Sequence, residues 1–413
     1  MIKNLICVLT LCFANTIHAQ KYFQQEVDYS IRVTLLDSIH VLQGNIEIAY
    51  KNNSPETLDT IFIHLWGNAF QNKSTQFAKQ KVRNFDTKFY FADQSSYGGY
   101  SNLAFKVDDK NVDWVIKEDQ IDLAYLVLNK GLIPGDQIVI STPFTLQIPE
   151  SFSRLGHVET SYQMTQWYPK PAVYDQEGWH TMSYLDMGEF YSEFGDFNVE
   201  ITLPSNYYVG ATGELLTESE KNFLNKRISY TTNYLKDSVQ LHNEFPASSS
   251  ELKTLKYEAE NVHDFAWFAD KRFLVQKKVA NLENGDDVDC WVFFTDFEKE
   301  LWKDADDYTK RAVEFYSERV GPYPYPHATA VQSALSAGGG MEYPMVTVIG
   351  PSGFPAALDQ VITHEVGHNW FYGILATNER IHPWFDEGLN TYYESRYMRK
   401  YYKGDDEFDI PNF

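Results

Sequence analysis

Residues 364–368 read HEVGH, and the segment around them, AALDQVITHEVGHNWFY (356–372), predicts a helix. Four residues advance a helix by about 40° beyond one full turn, so His364 and His368 project from the same face. Two imidazoles placed in this way can hold one metal ion, and the pattern is typical of Zn²⁺. Glu365 points to the side, where its carboxylate can take a proton from a water molecule. The five residues therefore predict a catalytic metal site.

The sequence also contains a candidate for a third metal ligand. A catalytic zinc ion uses three protein ligands and leaves its fourth position open. Eighteen residues separate His368 from Glu387, which stands at the start of a second predicted helix. If the two helices run antiparallel, the connection from Gly373 to Pro383 brings this carboxylate back to the histidines. The sequence therefore predicts one Zn²⁺ per chain, held by His364, His368 and Glu387.

Glu394 lies seven residues after Glu387 and so shares a face of the second helix with it. It is a candidate to orient His364 or His368, by accepting a hydrogen bond from the ring nitrogen that does not face the metal. The alternative is a solvated acid that pairs with a basic neighbour on its own helix. For the motif as a whole, the alternative is two ordinary core histidines and a glutamate that complements a helix dipole.

The residues HExxH (364–368) and Glu387, with eighteen residues between His368 and Glu387, resemble the zinc signature of the gluzincin aminopeptidases of the alanyl/leucyl aminopeptidase and leukotriene A4 hydrolase type. A second stretch, GGMEY (339–343), is similar to the Gly-x-Met-Glu-Asn motif of that family. In the family this glutamate anchors the free α-amino group of the substrate, and the resemblance places that role on Glu342.

Two further substrate contacts follow from the same resemblance. Gly339 and Gly340 would allow a substrate backbone to lie close to the edge of a strand, as an added strand. The stretch TQWYP (165–169) looks like the part of the family's N-terminal domain whose glutamine lines the first specificity pocket. The resemblance therefore implies that Gln166 contacts the substrate.

The chain departs from the family pattern at two points. Tyr343 stands where the family has asparagine. The transition-state tyrosine of the family lies several tens of residues beyond the glutamate ligand, and 26 residues follow Glu387 in this chain.

The expected fold is an N-terminal all-β sandwich or saddle domain, followed by a thermolysin-like α/β zinc peptidase domain that is incomplete at its C-terminal end.

The pattern along the chain agrees with this expectation. Up to about residue 269, segments such as NIEIAY (45–50) and NVEITL (198–203) alternate in the manner of half-buried strands, with turn residues about every ten positions. Beyond that point helical and strand patterns are mixed. The predicted organisation is a signal peptide at 1–19, a β domain at 20–270 and a truncated catalytic domain at 271–413.

The first nineteen residues have the features of a secretory signal peptide, with a basic start, an apolar run and a small residue, Ala19, before the expected cleavage point. No later segment approaches the ~20 apolar residues of a membrane-spanning helix. We therefore expect an exported protein, periplasmic or extracellular, with no integral membrane segment in the mature chain. A formal net charge of −22 over 413 residues argues against nucleic acid as a partner.

Together these features predict a zinc-dependent aminopeptidase acting on peptides with a free N-terminus, with Glu365 as the general base. The alternative from another class is a catalytically impaired, zinc-containing module that binds peptides or assembles with a partner. A general endopeptidase is disfavoured by Glu342, because its buried charge would be costly without a cationic amine beside it.

Overall fold

The computed structural model describes residues 22–236, 244–333 and 339–402. The predicted signal peptide at 1–19 lies outside the described residues. The described residues form a part that is rich in strands, which extends to Asp270, and a mixed α/β part, which begins at Leu274.

The first part contains strands, three α-helices and two 3₁₀ helices, Trp66–Phe70 and Gln94–Ser96, among its described residues. In chain order its strands are β1 (Glu26–Leu36), β2 (Val41–Lys51), β3 (Leu58–His64), β4 (Gly99–Ser101), β5 (Lys106–Val107), β6 (Lys110–Asn111), β7 (Asp113–Lys117), β8 (Gln120–Leu132), β9 (Gln137–Gln147), β10 (Gly156–Val158), β11 (Ser161–Met164), β12 (Lys170–Pro171), β13 (Tyr174–Asp175), β14 (Gly178–Trp179), β15 (Gly195–Pro204), β16 (Tyr208–Ala211), β17 (Glu214–Leu215), β18 (Leu252–Val262) and β19 (Trp267–Asp270). Its helices are α1 (Gln76–Arg83), α2 (Lys88–Phe91) and α3 (Glu218–Tyr234).

In the described part of the chain, the largest sheet has nine strands in the order β17-β18-β15-β1-β2-β9-β5-β6, with β4 paired to β9. Smaller sheets run β10-β11-β19-β16 and β12-β3-β8-β7, and β13 pairs with β14. Every second side chain of β1 is buried, from Val27 to Leu35, which is the period of a strand with one face on the core. Ile31 lies opposite Ile46 of the antiparallel β2 and opposite Val199 of the parallel β15.

The second part consists of a five-stranded sheet and its helices, within the described residues. Its elements, in chain order, are β20 (Leu274–Asn281), β21 (Asp287–Phe294), α4 (Lys299–Trp302), α5 (Ala305–Arg319), β22 (His327–Gln332), β23 (Gly340–Tyr343), β24 (Val346–Ile349), α6 (Pro355–Phe371) and α7 (Leu389–Tyr401). The strand order is β20-β21-β22-β24-β23, so β23, which carries the GGMEY motif, is an edge strand and runs antiparallel to β24.

The helices of the second part differ in detail from what the sequence pattern indicates. The acidic, amphipathic pattern over 295–320 predicts one helix, whereas the structure has α4, which ends at Trp302, and α5, which begins at Ala305. The last helix, expected to begin at Asp386 or Glu387, is preceded by a π-helical turn, Trp384–Gly388. Such turns widen the helix by one residue and occur often at functional sites. Here the turn carries Glu387.

The predicted fold class is confirmed: a first part built mainly of strands precedes an α/β part. Helix α3 was not expected, because few of its residues are apolar and its helical period is weak; Leu224 and Tyr234 are its buried hydrophobic residues. Among the described residues, no helix combines the length and the hydropathy that a membrane crossing requires.

The HEVGH helix α6 lies inside the second part rather than on its surface. Leu358, Ile362 and Val366 are buried, and they belong to one core with Val292 of β21 and Tyr316 of α5. Most polar side chains of a helix surrounded by protein in this way find hydrogen-bond partners inside the protein, which restricts their motion.

Gly367, inside the HEVGH motif, marks the closest approach of α6 to its neighbours. A β-carbon at this position would overlap the side chains of Asn390 and Tyr316. These two residues are themselves joined, because Tyr316 donates a hydrogen bond to Asn390 Oδ1 (2.7 Å), and Asn390 Nδ2 donates to the carbonyl of His364 (2.6 Å). The glycine therefore allows α5 and α7 to fix the backbone of a candidate metal ligand.

We expect Gly367→Ala to destabilise the fold. The added methyl group must displace both hydrogen-bonded partners, and overpacking of this kind costs about 1–3 kcal/mol, more than the ~1 kcal/mol that alanine gains over glycine in a helix. Urea unfolding followed by circular dichroism measures the change. Gly353→Ala is the matched control, because a β-carbon there meets no atom within 4 Å. Equal stability of the two variants would contradict the packing argument.

Candidate metal centre and active site

His364 and His368 lie one turn apart on α6, with their Nε2 atoms 3.1 Å from each other. Glu387 reaches this point from the π-helical turn, and its Oε2 atom lies 3.2 Å from His364 Nε2 and 3.8 Å from His368 Nε2. In a tetrahedral zinc site with bonds of about 2.0–2.2 Å, neighbouring ligand atoms are about 3.3–3.6 Å apart. The three atoms therefore have the separations that a zinc ion requires.

The far side of each imidazole ring is held by a carboxylate. His364 Nδ1 lies 2.9 Å from Glu394 Oε2, and His368 Nδ1 lies 2.6 Å from Asp386 Oδ1. When each carboxylate accepts a proton from Nδ1, Nε2 is the ring nitrogen that is left to bind a metal ion. The ring orientations and the N₂O donor set fit Zn²⁺. Of the two roles considered for Glu394, the geometry matches the orienting one, since its side chain is buried.

The electrostatics at this point favour positive charge. Burial opposes protonation of His364, yet its hydrogen bonds to Glu387 and Glu394 outweigh burial and raise its pKa to about 10. Burial also opposes protonation of His368, but the charges of Glu342 and Asp386 raise its pKa well above the usual value. The hydrogen bond to His364 lowers the pKa of Glu387. A divalent cation bound here would supply the positive charge that protonation of His364 and His368 supplies without it.

Glu365 lies on the same helix, directly after His364. Its side chain is 5% exposed, and its buried Oε2 has no hydrogen-bond partner among the described residues. Burial raises the pKa of Glu365 to about 7, although His364 and His368 oppose the rise. A carboxylate with a pKa near neutrality and a free oxygen is suited to accept and return a proton.

The edge strand β23 brings the GGMEY motif beside this group. A β-carbon on Gly340 would overlap the carboxylate of Glu365, so the strand passes directly against the candidate base. Gly339 has a φ of +79°, a conformation that glycine adopts without strain. The contact at Gly340 and the backbone conformation of Gly339 thus each explain why glycine stands at that position. The approach of a substrate backbone, expected from the sequence, is a separate reason.

Glu342, two residues along β23, is 8% exposed, and its Oε1 has no hydrogen-bond partner among the described residues. Burial raises the pKa of this carboxyl well above its usual range. Ligand-type atoms of Glu342, His368 and Asp386 lie within 4.8 Å of one another. The structure therefore brings Glu342 to the candidate metal centre, as a buried carboxyl whose Oε1 is left without a hydrogen-bond partner among the described residues.

Gln166 is buried in the strand-rich part, with a φ of +48° that is uncommon outside glycine. Its Nε2 donates to Asp264 Oδ2 (3.4 Å), and its Oε1 accepts a hydrogen bond from the hydroxyl of Tyr343 (3.3 Å). Tyr343, at the position of the family's asparagine, thereby connects the β23 strand to Gln166. A substrate contact for Gln166 stays a prediction, because both ends of its amide are engaged within the protein.

Sequence reasoning missed Asp386 and Glu379. Asp386 is fully buried, and a signal for it existed: two imidazoles need two orienting acceptors, and Asp386 directly precedes Glu387. Glu379 is 2% exposed; burial, followed by its hydrogen bond to Asp386, raises its pKa well above the usual value. Nothing in the sequence singles out Glu379, since it stands in an irregular connection.

That connection, between α6 and the π-helical turn, is attached to the strand-rich part. Arg380 Nε donates to the carbonyl of Glu189 (2.6 Å), and its NH2 group donates to the carbonyl of Ser183 (3.2 Å). Asn378 Nδ2 donates to His180 Nδ1 (3.2 Å). The position of Glu387 therefore depends on residues from both parts of the chain.

The chain was compared with known proteins. No protein-family model matches it, and no curated protein matches it. Solved structures do: an M1 zinc metallopeptidase variant from Deinococcus radiodurans bound to a Tyr-Ser-Ala substrate matches with a TM-score of 0.60 at 15% identity, over 93% of this chain and 72% of that one.

Two further solved structures are similar to this chain to the same degree. A two-domain M1 zinc metallopeptidase variant bound to L-arginine matches with a TM-score of 0.58 at 15% identity, over 93% of this chain and 72% of that chain. The M1 zinc metallopeptidase from Deinococcus radiodurans matches with a TM-score of 0.56 at 15% identity, over 91% of this chain and 71% of that chain. The fold is therefore that of the M1 zinc metallopeptidases, and this chain corresponds to about seven tenths of their length.

Proposed function

We propose that this protein is a zinc-dependent aminopeptidase, which hydrolyses the first peptide bond of peptides with a free N-terminus. The observation that carries the proposal is the convergence of His364 Nε2, His368 Nε2 and Glu387 Oε2, with both Nδ1 atoms held by carboxylates. One Zn²⁺ held there would supply Lewis acidity to a water molecule and to the scissile carbonyl.

Glu365 is the proposed general base and, later in the reaction, the general acid. Its unpaired Oε2 accepts a proton from the attacking water and then delivers it to the leaving amine. Burial raises the pKa of Glu365, which favours the protonated carboxyl that returns the proton to the leaving amine. The adjacent strand β23 offers its edge to an extended substrate backbone.

Glu342 is the proposed recognition group for the substrate amine. Its buried, unpaired Oε1 lacks the cation that an α-ammonium group would provide. The pairing fixes the distance from the amino terminus to the reacting bond, so one residue is removed at a time. Export of the protein, a domain boundary near residue 270 and the role of Gln166 remain part of the same proposal, supported by the sequence.

The proposal is tested on residues 20–413, by measuring bound zinc and comparing an aminoacyl reporter with its N-acetylated form. We expect one zinc per chain and cleavage of the free-amine reporter alone. Glu342→Gln should lower kcat/KM for that reporter roughly 10- to 100-fold, the value of a hydrogen bond to a charged group. Glu283→Gln, at an exposed site, is the matched control.

Three outcomes would count against the proposal. Equal cleavage of both reporters would refute the exopeptidase assignment. Absence of zinc would refute the metal centre. One zinc per chain with neither reporter cleaved would favour the alternative, a catalytically impaired module that binds peptides or assembles with a partner.

A further inference from the structure

Strand β23, which carries Glu342, has one neighbour in its sheet. It stands at the end of the strand order β20-β21-β22-β24-β23, and among the described residues it pairs with β24 alone. The strand is short, Gly340–Tyr343, and an outer edge without a partner strand does nothing to hold it in place. Side chains must therefore fix the position of β23 relative to the strand-rich part.

The two faces of β23 meet different parts of the molecule, because side chains alternate along a strand. Gly340 lies on the face that meets α6, since a β-carbon there would overlap Glu365. Glu342 shares that face, and one of its oxygen atoms lies within 4.8 Å of a ring nitrogen of His368. Tyr343 lies on the opposite face, so the candidate amine-binding carboxylate and the tyrosine next to it point in different directions.

Tyr343 is buried in a core that contains residues from both parts of the chain. It is 3% exposed, and its ring lies near that of Phe268 in β19, with 6.3 Å between the two centroids. Its hydroxyl donates a hydrogen bond to Gln166 Oε1 (3.3 Å). Because Tyr343 and Glu342 are joined by one planar peptide unit, anchoring the tyrosine also restrains the backbone from which the glutamate projects.

The amide that receives this hydrogen bond is itself held by a buried ion pair. Gln166 Nε2 donates to Asp264 Oδ2 (3.4 Å), and Lys170 Nζ lies 2.9 Å from Asp264 Oδ1. Burial opposes ionisation of Asp264, yet the charge of Lys170 lowers its pKa below the usual value. An ionised carboxylate only accepts hydrogen bonds, so it selects the amide orientation in which Gln166 Oε1 is left for Tyr343.

The backbone at Gln166 shows that this arrangement is imposed by its surroundings. Its φ of +48° is a conformation that residues other than glycine seldom adopt, and such conformations persist where neighbouring contacts determine them. Trp167 Nε1 donates to the carbonyl of Phe265 (2.8 Å), and the hydroxyl of Tyr168 donates to Asp264 Oδ1 (2.6 Å). These contacts keep the Gln166 amide at the place where β23 meets the strand-rich part.

We propose that Tyr343 is a positioning residue for Glu342. Through Gln166 and Asp264, the Tyr343 hydroxyl anchors β23 to the strand-rich part. This anchor keeps the Glu342 carboxylate where the α-ammonium group of a substrate binds, so the inference rests on the proposed function. Gln166 then acts on the amine through Tyr343, whereas a direct contact between Gln166 and the substrate is the alternative.

Tyr343→Phe tests the anchor, because it removes the hydroxyl and keeps the ring in its core. L-leucine is titrated calorimetrically into residues 20–413 with one equivalent of ZnCl₂, and N-acetyl-L-leucine is the match that lacks a charged amine. We expect the Kd for L-leucine to rise about 3- to 10-fold, the effect of one lost hydrogen bond, with the zinc content and the number of binding sites unchanged. KM for the aminoacyl reporter should rise by a similar factor, with a smaller change in kcat.

Tyr207→Phe is the matched control. Tyr207 is fully buried, and its hydroxyl donates to Asp37 Oδ2 (2.8 Å), so this variant also loses one buried hydrogen bond. Both variants should have a lower Tm, but only Tyr343→Phe should bind L-leucine more weakly. A merely structural role of Tyr343 predicts the opposite pattern, with fewer binding sites and an unchanged Kd at each.

Gln166→Met separates the anchor from a direct substrate contact. Methionine has about the length of glutamine but no amide, so it cannot accept the hydrogen bond from Tyr343. If Gln166 acts through Tyr343, the double variant should bind L-leucine about as weakly as the weaker single variant, because two members of one network do not contribute independently. Multiplied effects in the double variant would overturn the path through Gln166.

The result for Tyr343→Phe also separates this inference from the proposed function. An unchanged Kd and KM in this variant would overturn the positioning role and leave the aminopeptidase proposal intact. If the parent chain binds L-leucine no better than N-acetyl-L-leucine, the amine site is refuted, and the positioning role is refuted with it.

Discussion

Glu365→Gln is expected to lower kcat for the aminoacyl reporter by about 10²- to 10⁴-fold, the contribution typical of a positioned general base. Glutamine matches the glutamate side chain in shape but cannot accept a proton from water at neutral pH. The three proposed metal ligands are untouched, so the variant should still bind one zinc per chain. Steady-state kinetics and metal analysis on the same preparation measure both effects.

The interpretation of that result depends on a control for the buried position. Glu365 lies against Gly340, and a change in its charge could disturb β23. The Tm and the zinc content of Glu365→Gln should therefore match those of the parent chain, and exposed Glu283→Gln should keep full activity. Retained turnover in a zinc-loaded Glu365→Gln variant would refute the base assignment.

His368→Ala is expected to abolish zinc binding at equimolar metal and, with it, peptidase activity. The side chain supplies one of three ligand atoms, and its removal leaves His364 Nε2 and Glu387 Oε2 as an incomplete pair. The variant also leaves Asp386 without its partner in a fully buried position, so some loss of stability is expected. Zinc titration with a competing chelator measures the affinity.

Asp386→Asn separates the two effects in that variant. It retains the ligand His368 and changes the acceptor on its Nδ1, and changes to such orienting partners typically cost 10- to 100-fold in metal affinity. We therefore expect a graded series, from the parent chain through Asp386→Asn to His368→Ala. Full zinc affinity in His368→Ala would exclude this residue as a ligand.

The sequence predicted those site residues whose positions follow from helical geometry. His364 and His368 face the same way because they are four residues apart. The seven-residue spacing predicted that Glu394 lies near Glu387, although the structure places Glu387 in the π-helical turn. The strand-rich first part was predicted from alternation such as that of NIEIAY (45–50), which lies in β2. The mixed second part was predicted from the helical and strand patterns that alternate beyond about residue 270.

What the sequence did not predict depends on tertiary contacts. The π-helical turn at Glu387 has no local signature, and Asp386 became an orienting residue only because that turn directs it at His368. The overlap at Gly367 involves Tyr316, which lies 51 positions earlier in the sequence.

The attachment of Arg380 to the carbonyls of Ser183 and Glu189 has a consequence for engineering. Because backbone atoms of the strand-rich part hold the connection before Glu387, the two parts are not exchangeable modules. A chimera that joined residues 271–413 to a foreign β domain would keep all three metal ligands in its sequence. It would still lose the hydrogen bonds from Arg380 that help to place Glu387 opposite His364 and His368.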